Sequence, residues 1–180
     1  MAAGLVVLVG APASGKTSFV RALVARGQVA ADAVVSSDEI RAELFGVPPA
    51  EADSDVVDSR VFEERDRRIA ERLAAGRSAI AESTNVTAEA RARLLALAGR
   101  FHTPVTVLRF THDVTDLLRQ QAERGRPDVT DEDVRAYAAI VVREAGLDQL
   151  RSEGPAAVHE IPGRRQGVTP AEAAALFSFN

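Results

Sequence analysis

The segment Gly10-Ala-Pro-Ala-Ser-Gly-Lys-Thr17 restricts the possible folds of this chain more than any other part of its sequence. The apolar run Leu5–Val9 precedes it and has the length of a buried β-strand. Phe19, Val20 and Leu23 follow it at the spacing of an amphipathic helix. The segment therefore matches G-x-x-x-x-G-K-[ST] in the strand-to-helix context that this pattern requires. The alternative is a glycine-rich turn with these residues by coincidence, which we expect in roughly one of two thousand chains of this composition.

This pattern is typical of loops that bind the phosphates of a nucleotide. Its glycines let the backbone curl so that amide hydrogens point inward, and the following helix N-terminus adds partial positive charge. We expect phosphate contacts from Gly10, Ala13, Ser14, Gly15, Lys16, Thr17 and Ser18. Lys16 is expected to reach the β- and γ-phosphates of ATP, and the Thr17 hydroxyl to ligate Mg²⁺. Lys16 is also the only lysine among 22 basic residues, which suits a site where a compact ammonium must fit a tight space.

Composition limits the kinds of protein that could carry this loop. The 180 residues are 46% hydrophobic and 27% charged, which predicts one compact domain over residues 1–180. The absence of cysteine excludes disulfides and thiolate metal sites. A net charge of -4 argues against general coating of nucleic acid, so any such contact has to be local. With neither a signal peptide nor a long apolar stretch, we expect no membrane association and a cytoplasmic location. Oligomeric state stays open.

Apolar runs alternate with helical patterns along the chain, which predicts an α/β fold: a three-layer P-loop NTPase fold with a mostly parallel sheet of about five strands flanked by helices. Predicted strands are Leu5–Val9, Ala33–Ser36, Ser78–Glu82, Val105–Phe110 and Ala156–Ile161. Predicted helices are Lys16–Ala25, Asp38–Phe45, Asp55–Ala75, Thr87–Arg100, Val114–Glu123, Asp131–Glu153 and one after Pro170. A helical lid is expected at about 117–135, and the polar segments 46–53 and 125–133 are predicted to be mobile loops.

Nucleotide binding leaves the use of the nucleotide open. Guanine-specific switches need an Asn-Lys-x-Asp or Thr-Lys-x-Asp segment, which a chain with Lys16 as its only lysine does not have. A kinase, an ATP-driven machine and a nucleotide-gated binding module remain. Such machines are usually larger and form rings, so the small size of this chain favours the kinase.

The end of the second predicted strand carries residues suited to a phosphate acceptor. Asp38 would lie at the carboxyl edge of the sheet, where it could accept the proton of an attacking hydroxyl. Arg41 follows about one helical turn later and could hold an acceptor phosphate. The alternative is that Ser36 and Glu39 form a capping box that only starts a helix. The residues by themselves favour neither interpretation.

Two segments follow the phosphate-binding loop in a recognisable order, Ser36-Ser-Asp-Glu-Ile-Arg41 and Ala81-Glu-Ser-Thr-Asn-Val86. With the loop, they resemble the kinase domain of 5′-hydroxyl polynucleotide kinases, particularly the bacterial end-healing kinase-phosphatases, over much of residues 4–145. That family has Ser-x-Asp-x-x-Arg, then Asp-x-Thr-Asn, then an arginine-rich lid. The resemblance implies a kinase that uses ATP and Mg²⁺ to phosphorylate the 5′-hydroxyl of RNA or DNA ends. It also implies that Asp38 is the general base and that Arg41 clamps the acceptor's 3′-phosphate.

The chain departs from the family pattern in two places. Glu82 stands where the family has aspartate next to Mg²⁺, and a shift of one residue would put Ser83 there instead. The alternative for this segment is a strand followed by a helix cap at Thr87. The lid arginines, which would neutralise charge on the transferred phosphoryl group, are predicted to be Arg119, Arg124 and Arg126. The family spaces them four apart, whereas here they are five and two apart, and a solvated helix end is the alternative.

Two other functions remain open at this stage. A kinase of the same fold could phosphorylate a small-molecule hydroxyl on a sugar, an antibiotic or a metabolite, and would also use Asp38 as its base. A regulatory module could bind ATP without transferring phosphate. The arginine-rich segment from Arg60 to Arg77 alternates with acidic residues and is predicted to be an exposed, salt-bridged helix face.

Overall fold

The computed structural model describes residues 4–46, 55–127, 129–163 and 166–177. Its strands are β1 Leu5–Val9, β2 Val34–Ser36, β3 Ala79–Glu82, β4 Val105–Phe110 and β5 Ala157–Ile161. Its helices are α1 Lys16–Ala25, α2 Ser37–Phe45, α3 Asp55–Ala74, α4 Ala88–Arg100, α5 Val114–Arg124, α6 Asp131–Glu144, α7 Leu147–Ser152 and α8 Pro170–Ala175. The predicted loop at 46–53 lies, apart from Gly46, outside the described residues.

The five strands form one parallel sheet in the order β2-β3-β1-β4-β5. All of β1 is buried because helices cover both faces. Leu5, Val7 and Val9 belong to a core cluster with residues of α2 to α7. Val6 and Leu8 belong to a second cluster with residues of α1 and α8. The predicted α/β fold, with a parallel sheet between two layers of helices, is confirmed.

The strand order determines where ligands can collect. The chain leaves β1 toward β2 on one side of the sheet, and leaves β3 toward β4 on the other. The crevice at the carboxyl ends of the adjacent strands β1 and β3 is therefore the switch point of the sheet, where ligands bind in open α/β folds. The segments that follow β1, β2 and β3 in sequence all lie at this edge.

Helix starts follow the side chains that cap them. Ser36, Thr87, Asp113, Thr130 and Thr169 each accept a hydrogen bond from a backbone N–H in the first turn of the helix that follows. The helices predicted to begin at Thr87 and after Pro170 are both present. Among the described helices, none has both the length and the apolar character needed to cross a membrane.

The predicted single helix Asp131–Glu153 is wrong, because the chain breaks at Gly146 into α6 and α7. Two arginines, Arg91 and Arg109, donate hydrogen bonds to carbonyl groups that the break leaves without intrahelical partners. Arg91 Nη2 donates to the carbonyl of Glu144 at 2.5 Å, and Arg109 Nε donates to that of Ala145 at 2.6 Å. Tertiary hydrogen bonds thus replace the intrahelical ones. The sequence alone allows Gly146 to be either a break or a tolerated helix residue, and it does not reveal these distant partners.

The exposed, salt-bridged face predicted for α3 is confirmed in part. Arg67 and Arg68 both pair with Glu64 on the exposed surface. Arg65, in contrast, is only 1% exposed, and it donates to Asp66 and to Asn85. A residue counted with the solvated face therefore belongs to the interior, next to the end of β3.

Candidate active site

The loop between β1 and α1 wraps around the side chain of Lys16. Lys16 is 8% exposed, and its Nζ donates to the carbonyl oxygens of Gly10 and Ala11, both at 2.8 Å, and to Ser14 Oγ at 3.3 Å. Burial, partly offset by the nearby carboxylates of Glu82 and Asp38, lowers the pKa of Lys16 to about 8. The loop thus holds an ammonium group that has lost much of its hydration and that an anion would stabilise.

The backbone of this loop passes very close to neighbouring residues at Gly10. A Cβ on Gly10 would lie 2.7 Å from Ser14 Oγ and 2.9 Å from Phe110, so only glycine fits between β1 and the turn. Ala13 and Gly15 have positive φ angles of 64° and 91°, which curl the chain so that α1 begins at Lys16. Left-handed geometry at a residue with a side chain costs about 1 kcal/mol. The cradle expected from the sequence is present as a tightly curled turn.

The first turn of α1 contacts the end of β3 through two side-chain oxygen atoms. The Thr17 hydroxyl donates to Glu82 Oε1 at 2.6 Å, and Glu82 is 8% exposed. Adjacent oxygens around Mg²⁺ lie about 3 Å apart, given metal–oxygen distances of about 2.1 Å, so this pair suits two neighbouring positions of one ion. Burial raises the pKa of Glu82, against the lowering effects of Thr17 and Lys16. Glu82, rather than Ser83, therefore faces Thr17.

Asn85 ties the two central strands together behind the loop. Its Nδ2 donates to the carbonyl of Leu8 at 2.8 Å, and Arg65 Nη1 donates to its Oδ1 at 3.4 Å. One residue earlier, the carbonyl of Thr84 accepts from the Gly10 N–H at 3.0 Å. The residues after β3 thus position the phosphate-binding loop. Sequence reasoning noticed this segment but assigned no such role to Asn85.

Asp38 lies in the first turn of α2 without capping the helix. Ser36 is the N-cap, and its Oγ accepts from the Glu39 N–H at 3.5 Å. The Asp38 side chain is 67% exposed, and its Oδ2 accepts from Arg126 Nη1 at 2.9 Å. Asp38 also acts electrostatically on Lys16. The carboxylate is therefore at the crevice, where the sequence pattern placed it, and its present partner comes from the segment after α5.

Arg41 is oriented toward α3. Its Nη2 is ion-paired with Asp58 Oδ1, and the two side chains are 22% and 44% exposed. Ser37 and Ser83, which contact each other through their hydroxyls, connect the start of α2 to the end of β3. A phosphate that Arg41 is to bind would therefore compete with Asp58.

The three lid arginines do not act as one group. Arg124 and Arg126 both influence Lys16 electrostatically, and partial burial followed by repulsion from Arg126 lowers the pKa of Arg124. Arg119 lies elsewhere on α5, with its side chain 62% exposed and 3.7 Å from Asp116. Helix α5 ends between Arg124 and Arg126, at Gly125, whose backbone is left-handed with φ 59°. Two of the three predicted arginines are thus near the crevice.

A cavity of about 270 Å³ borders the phosphate-binding loop, and neither Asp38 nor Glu82 lines it. One wall is α5, with Gln120 and Arg124, and the other is formed by residues between β5 and α8, namely Pro162, Gly163, Val168, Thr169 and Pro170. Its lining also includes Gly15, Thr17, Ser18, Phe110 and His112. Sequence reasoning missed the β5–α8 wall, although Pro162 and Gly163 directly follow the carboxyl end of a strand. That position is where ligand contacts concentrate in such sheets.

Comparison with known proteins agrees with this architecture. A family model described as an AAA domain matches residues 5–143. No curated protein matches the sequence. A chain of the Pnkp1/Rnl/Hen1 RNA repair complex superposes with a TM-score of 0.67 at 18% identity, over 79% of this chain and 45% of that chain. This chain therefore spans less than half the length of that relative.

Two further structures match over nearly their whole length. A candidate kinase from Chloroflexus aurantiacus J-10-fl has a TM-score of 0.67 at 20% identity, covering 97% of this chain and 96% of its own. Shikimate kinase from Acinetobacter baumannii, in complex with shikimate, has a TM-score of 0.58 at 15% identity, covering 96% and 89%. At these identities the likeness concerns the fold, which is that of a P-loop kinase.

Proposed function

This chain belongs to the AAA domain family, and we propose that it is a Mg²⁺- and ATP-dependent kinase that phosphorylates the 5′-hydroxyl of RNA or DNA ends. One observation carries the proposal. A single crevice holds a buried lysine in a phosphate-binding loop, a Thr17–Glu82 oxygen pair, and a carboxylate, Asp38, that its helix does not need as a cap. These are the groups that phosphoryl transfer from a nucleotide to an alcohol requires.

The loop residues would hold the donor nucleotide. Lys16 exchanges its present bonds to the loop carbonyls for the β- and γ-phosphate oxygens, which restores the full charge that burial now disfavours. Thr17 and Glu82 would hold Mg²⁺ through their side-chain oxygens. When bound, the ion neutralises negative charge on the phosphates.

Asp38 would prepare the acceptor. The hydroxyl oxygen attacks the γ-phosphorus, the bond from that phosphorus to the β–γ bridging oxygen breaks, and ADP leaves while Asp38 takes the hydroxyl proton. Arg126 now donates to Oδ2 of Asp38, and the Asp38 side chain is otherwise 67% exposed and accessible to an acceptor hydroxyl. The Arg126 guanidinium can stabilise the charge on the transferred group, together with Arg124.

Three observations support a nucleic-acid end as acceptor. Asp38 and Arg41 lie on one helix in the Ser-x-Asp-x-x-Arg arrangement of polynucleotide kinases. The fold matches a chain of an RNA repair complex. Arg41 is 22% exposed and lies beside the crevice, where it can bind a terminal phosphate, and a net charge of -4 favours such a local contact over a broad one.

A small-molecule acceptor is the second candidate. Arg41 is already neutralised by Asp58, and an arginine–carboxylate pair offers donors and acceptors that suit an uncharged hydroxyl compound as well as a phosphate. Shikimate kinase shares the fold. The two candidates use the same Asp38 and differ only in what surrounds the acceptor.

Transfer of labelled phosphate from ATP to a panel of acceptors tests the proposal. The panel contains 5′-hydroxyl RNA and DNA oligonucleotides, nucleoside 3′-monophosphates and a set of sugars and small alcohols. We expect labelled oligonucleotide and labelled nucleoside 3′-monophosphate, with little product from nucleosides that lack the 3′-phosphate. Label found only on small alcohols would show that the acceptor is a small molecule and not a nucleic-acid end. ATP binding without transfer to any acceptor would indicate a binding module instead.

A further inference from the structure

Two adjacent glutamines in α5 are equally buried but differ in their partners. Gln120 is 8% exposed and Gln121 is 5% exposed. Gln121 Nε2 donates to the carbonyls of Arg126 at 3.1 Å and Val129 at 2.7 Å, which holds the segment after the helix. Gln120 Nε2 is enclosed and has no hydrogen-bond partner among the residues that the structure describes. A buried amide donor without an acceptor costs about 1–3 kcal/mol, so its retention needs a reason other than packing.

The position of Gln120 supplies a reason. It lines the cavity of about 270 Å³, one helical turn before Arg124, which lines it too. The cavity borders Gly15, Thr17 and Ser18 and is lined by residues at the ends of β4 and β5, whereas Asp38 follows β2 on the other side of β1. Because the γ-phosphate of a donor nucleotide would lie at the Asp38 side, its nucleoside has to leave the loop on the other side. The base would then enter the cavity that Gln120 lines.

We infer that Gln120 is the residue that reads the nucleobase, and that its amide pairs with the N6–N7 edge of adenine. This inference rests on the proposed function, since it assumes that the cradle holds a nucleoside triphosphate. The Gln120 amide, whose Nε2 is enclosed in the free protein, turns into the cavity so that Nε2 donates to adenine N7 and Oε1 accepts from the N6 amino group. Glutamine makes this bidentate pair with adenine in other settings, where it discriminates between bases.

Guanine cannot form the same pair. Its corresponding edge presents two acceptors, N7 and O6, whereas an amide presents one donor and one acceptor. One of the two contacts would therefore become a repulsion between oxygen and oxygen or oxygen and nitrogen. The structure thus assigns the chain a preference for ATP over GTP that depends on one side chain outside the phosphate-binding loop.

Equilibrium binding of three Mg²⁺-nucleotides in the absence of acceptor tests the inference. ATP, 7-deaza-ATP, which lacks only the N7 acceptor, and GTP are titrated into the full chain by calorimetry. We expect wild type to bind 7-deaza-ATP, which loses one of the two hydrogen bonds, roughly tenfold more weakly than ATP, and GTP, in which one bond becomes a repulsion, roughly tenfold to a hundredfold more weakly. In Gln120→Leu the three affinities should converge to within about threefold.

Gln121→Leu is the matched control, because it changes the neighbouring buried glutamine in the same way. It loses the bonds to Arg126 and Val129, so its melting temperature should fall, while its ratio of ATP to 7-deaza-ATP affinity stays that of wild type. Gln120→Leu removes an unpartnered donor, so its melting temperature should stay level or rise. A purely structural role for Gln120 predicts the opposite pattern.

The outcomes separate the inference from the proposed function. If wild type binds ATP and 7-deaza-ATP within twofold of each other, and Gln120→Leu leaves the ATP to GTP ratio unchanged, then Gln120 does not read the base although the chain still binds ATP. If wild type binds no nucleoside triphosphate, the proposed function is overturned and the inference with it.

Discussion

The two sides of the crevice differ in how far they are prepared for substrate. On the nucleotide side, Lys16 and Glu82 are each 8% exposed, and the loop around them is held by Asn85 and by close contacts at Gly10. On the acceptor side, Asp38 is 67% exposed and pairs with Arg126, while Arg41 pairs with Asp58. One side is a buried cradle, and the other is a set of accessible ion pairs.

This difference has an energetic meaning. A buried ammonium and a buried carboxylate have already lost hydration, so an anion or a metal ion bound there recovers interactions that the free protein lacks. Exposed ion pairs are worth only about 0–1 kcal/mol, so a substrate can displace them at little cost. The nucleotide side therefore provides binding strength, and the acceptor side provides pairs that can be exchanged.

The strongest test of this contrast is Lys16→Arg. The variant keeps the charge, but the guanidinium is too broad for a position where Nζ lies 2.8 Å from two carbonyl oxygens. Phosphate transfer should fall to background, a loss of roughly 10⁴-fold or more, in an assay of labelled product. Circular dichroism should show a folded protein. Activity within tenfold of wild type would mean that Lys16 does not contact the phosphates.

Asp38→Asn should have the next largest effect. The amide keeps the size of the side chain but cannot accept the hydroxyl proton, so turnover should fall about 10²–10⁴-fold with nearly normal ATP affinity. Ser36→Ala is the control, since it removes the N-cap of the same helix and should cost about 1 kcal/mol of stability while most turnover remains. If Asp38→Asn keeps more than about a third of wild-type turnover, the base lies elsewhere.

Arg126→Ala and Arg119→Ala compare two lid arginines that the structure separates. Arg126 is paired across the crevice with Asp38, whereas Arg119 is 62% exposed beside Asp116. We expect Arg126→Ala to lower the rate constant for transfer by about 10²-fold, because a charge on the transition state loses its partner. Arg119→Ala should lower it by less than about threefold. Equal losses would show that the lid rearranges to bring both to the phosphates.

Arg41→Ala and Asp58→Asn test whether the second exposed pair guards the acceptor position. Removing Arg41 should raise the KM for a nucleoside 3′-monophosphate about tenfold with little change in kcat, because a clamp on a remote phosphate acts before and during transfer. Asp58→Asn frees Arg41 and should lower that KM a few-fold. A nucleoside without the 3′-phosphate should respond to neither change. Equal effects on both acceptors would exclude the clamp.

The smallest expected effect is the uptake of a proton by Lys16 when ATP binds. Burial lowers the pKa of free Lys16 to about 8, so above that pH much of it is neutral, whereas a bound triphosphate requires the ammonium. ATP binding should therefore take up little proton at pH 7 and approach one proton at pH 9, measured by calorimetry in buffers of different ionisation enthalpy. Any binding left in Lys16→Arg should show no such uptake, since arginine stays charged. Uptake that does not rise with pH would contradict the burial of a titrating lysine.

Local patterns identified most of the elements and the nucleotide cradle. The run Leu5–Val9 and the segment from Gly10 to Thr17 predict a strand, a turn and a helix because each depends on neighbours in sequence, and all three are present. The start of α8 at Thr169 was readable for the same reason, since a capping box lies within four residues. The end of α6 was harder to predict from the sequence, because the carbonyl groups next to the break at Gly146 accept from the distant residues Arg91 and Arg109.

The pairing of residues on the acceptor side was decided by the tertiary structure. Sequence spacing put Asp38 and Arg41 on one helix, but their partners, Arg126 and Asp58, lie 88 and 17 residues away in sequence. The choice of Glu82 over Ser83 at Thr17 depended on the parallel register of β3 beside β1. Gln120 and Gln121 are neighbouring residues of the same type, and only folding gave Gln121 its partners and placed Gln120 among the residues that line the cavity. Contacts between distant segments are set by packing of the whole chain, which no local pattern records.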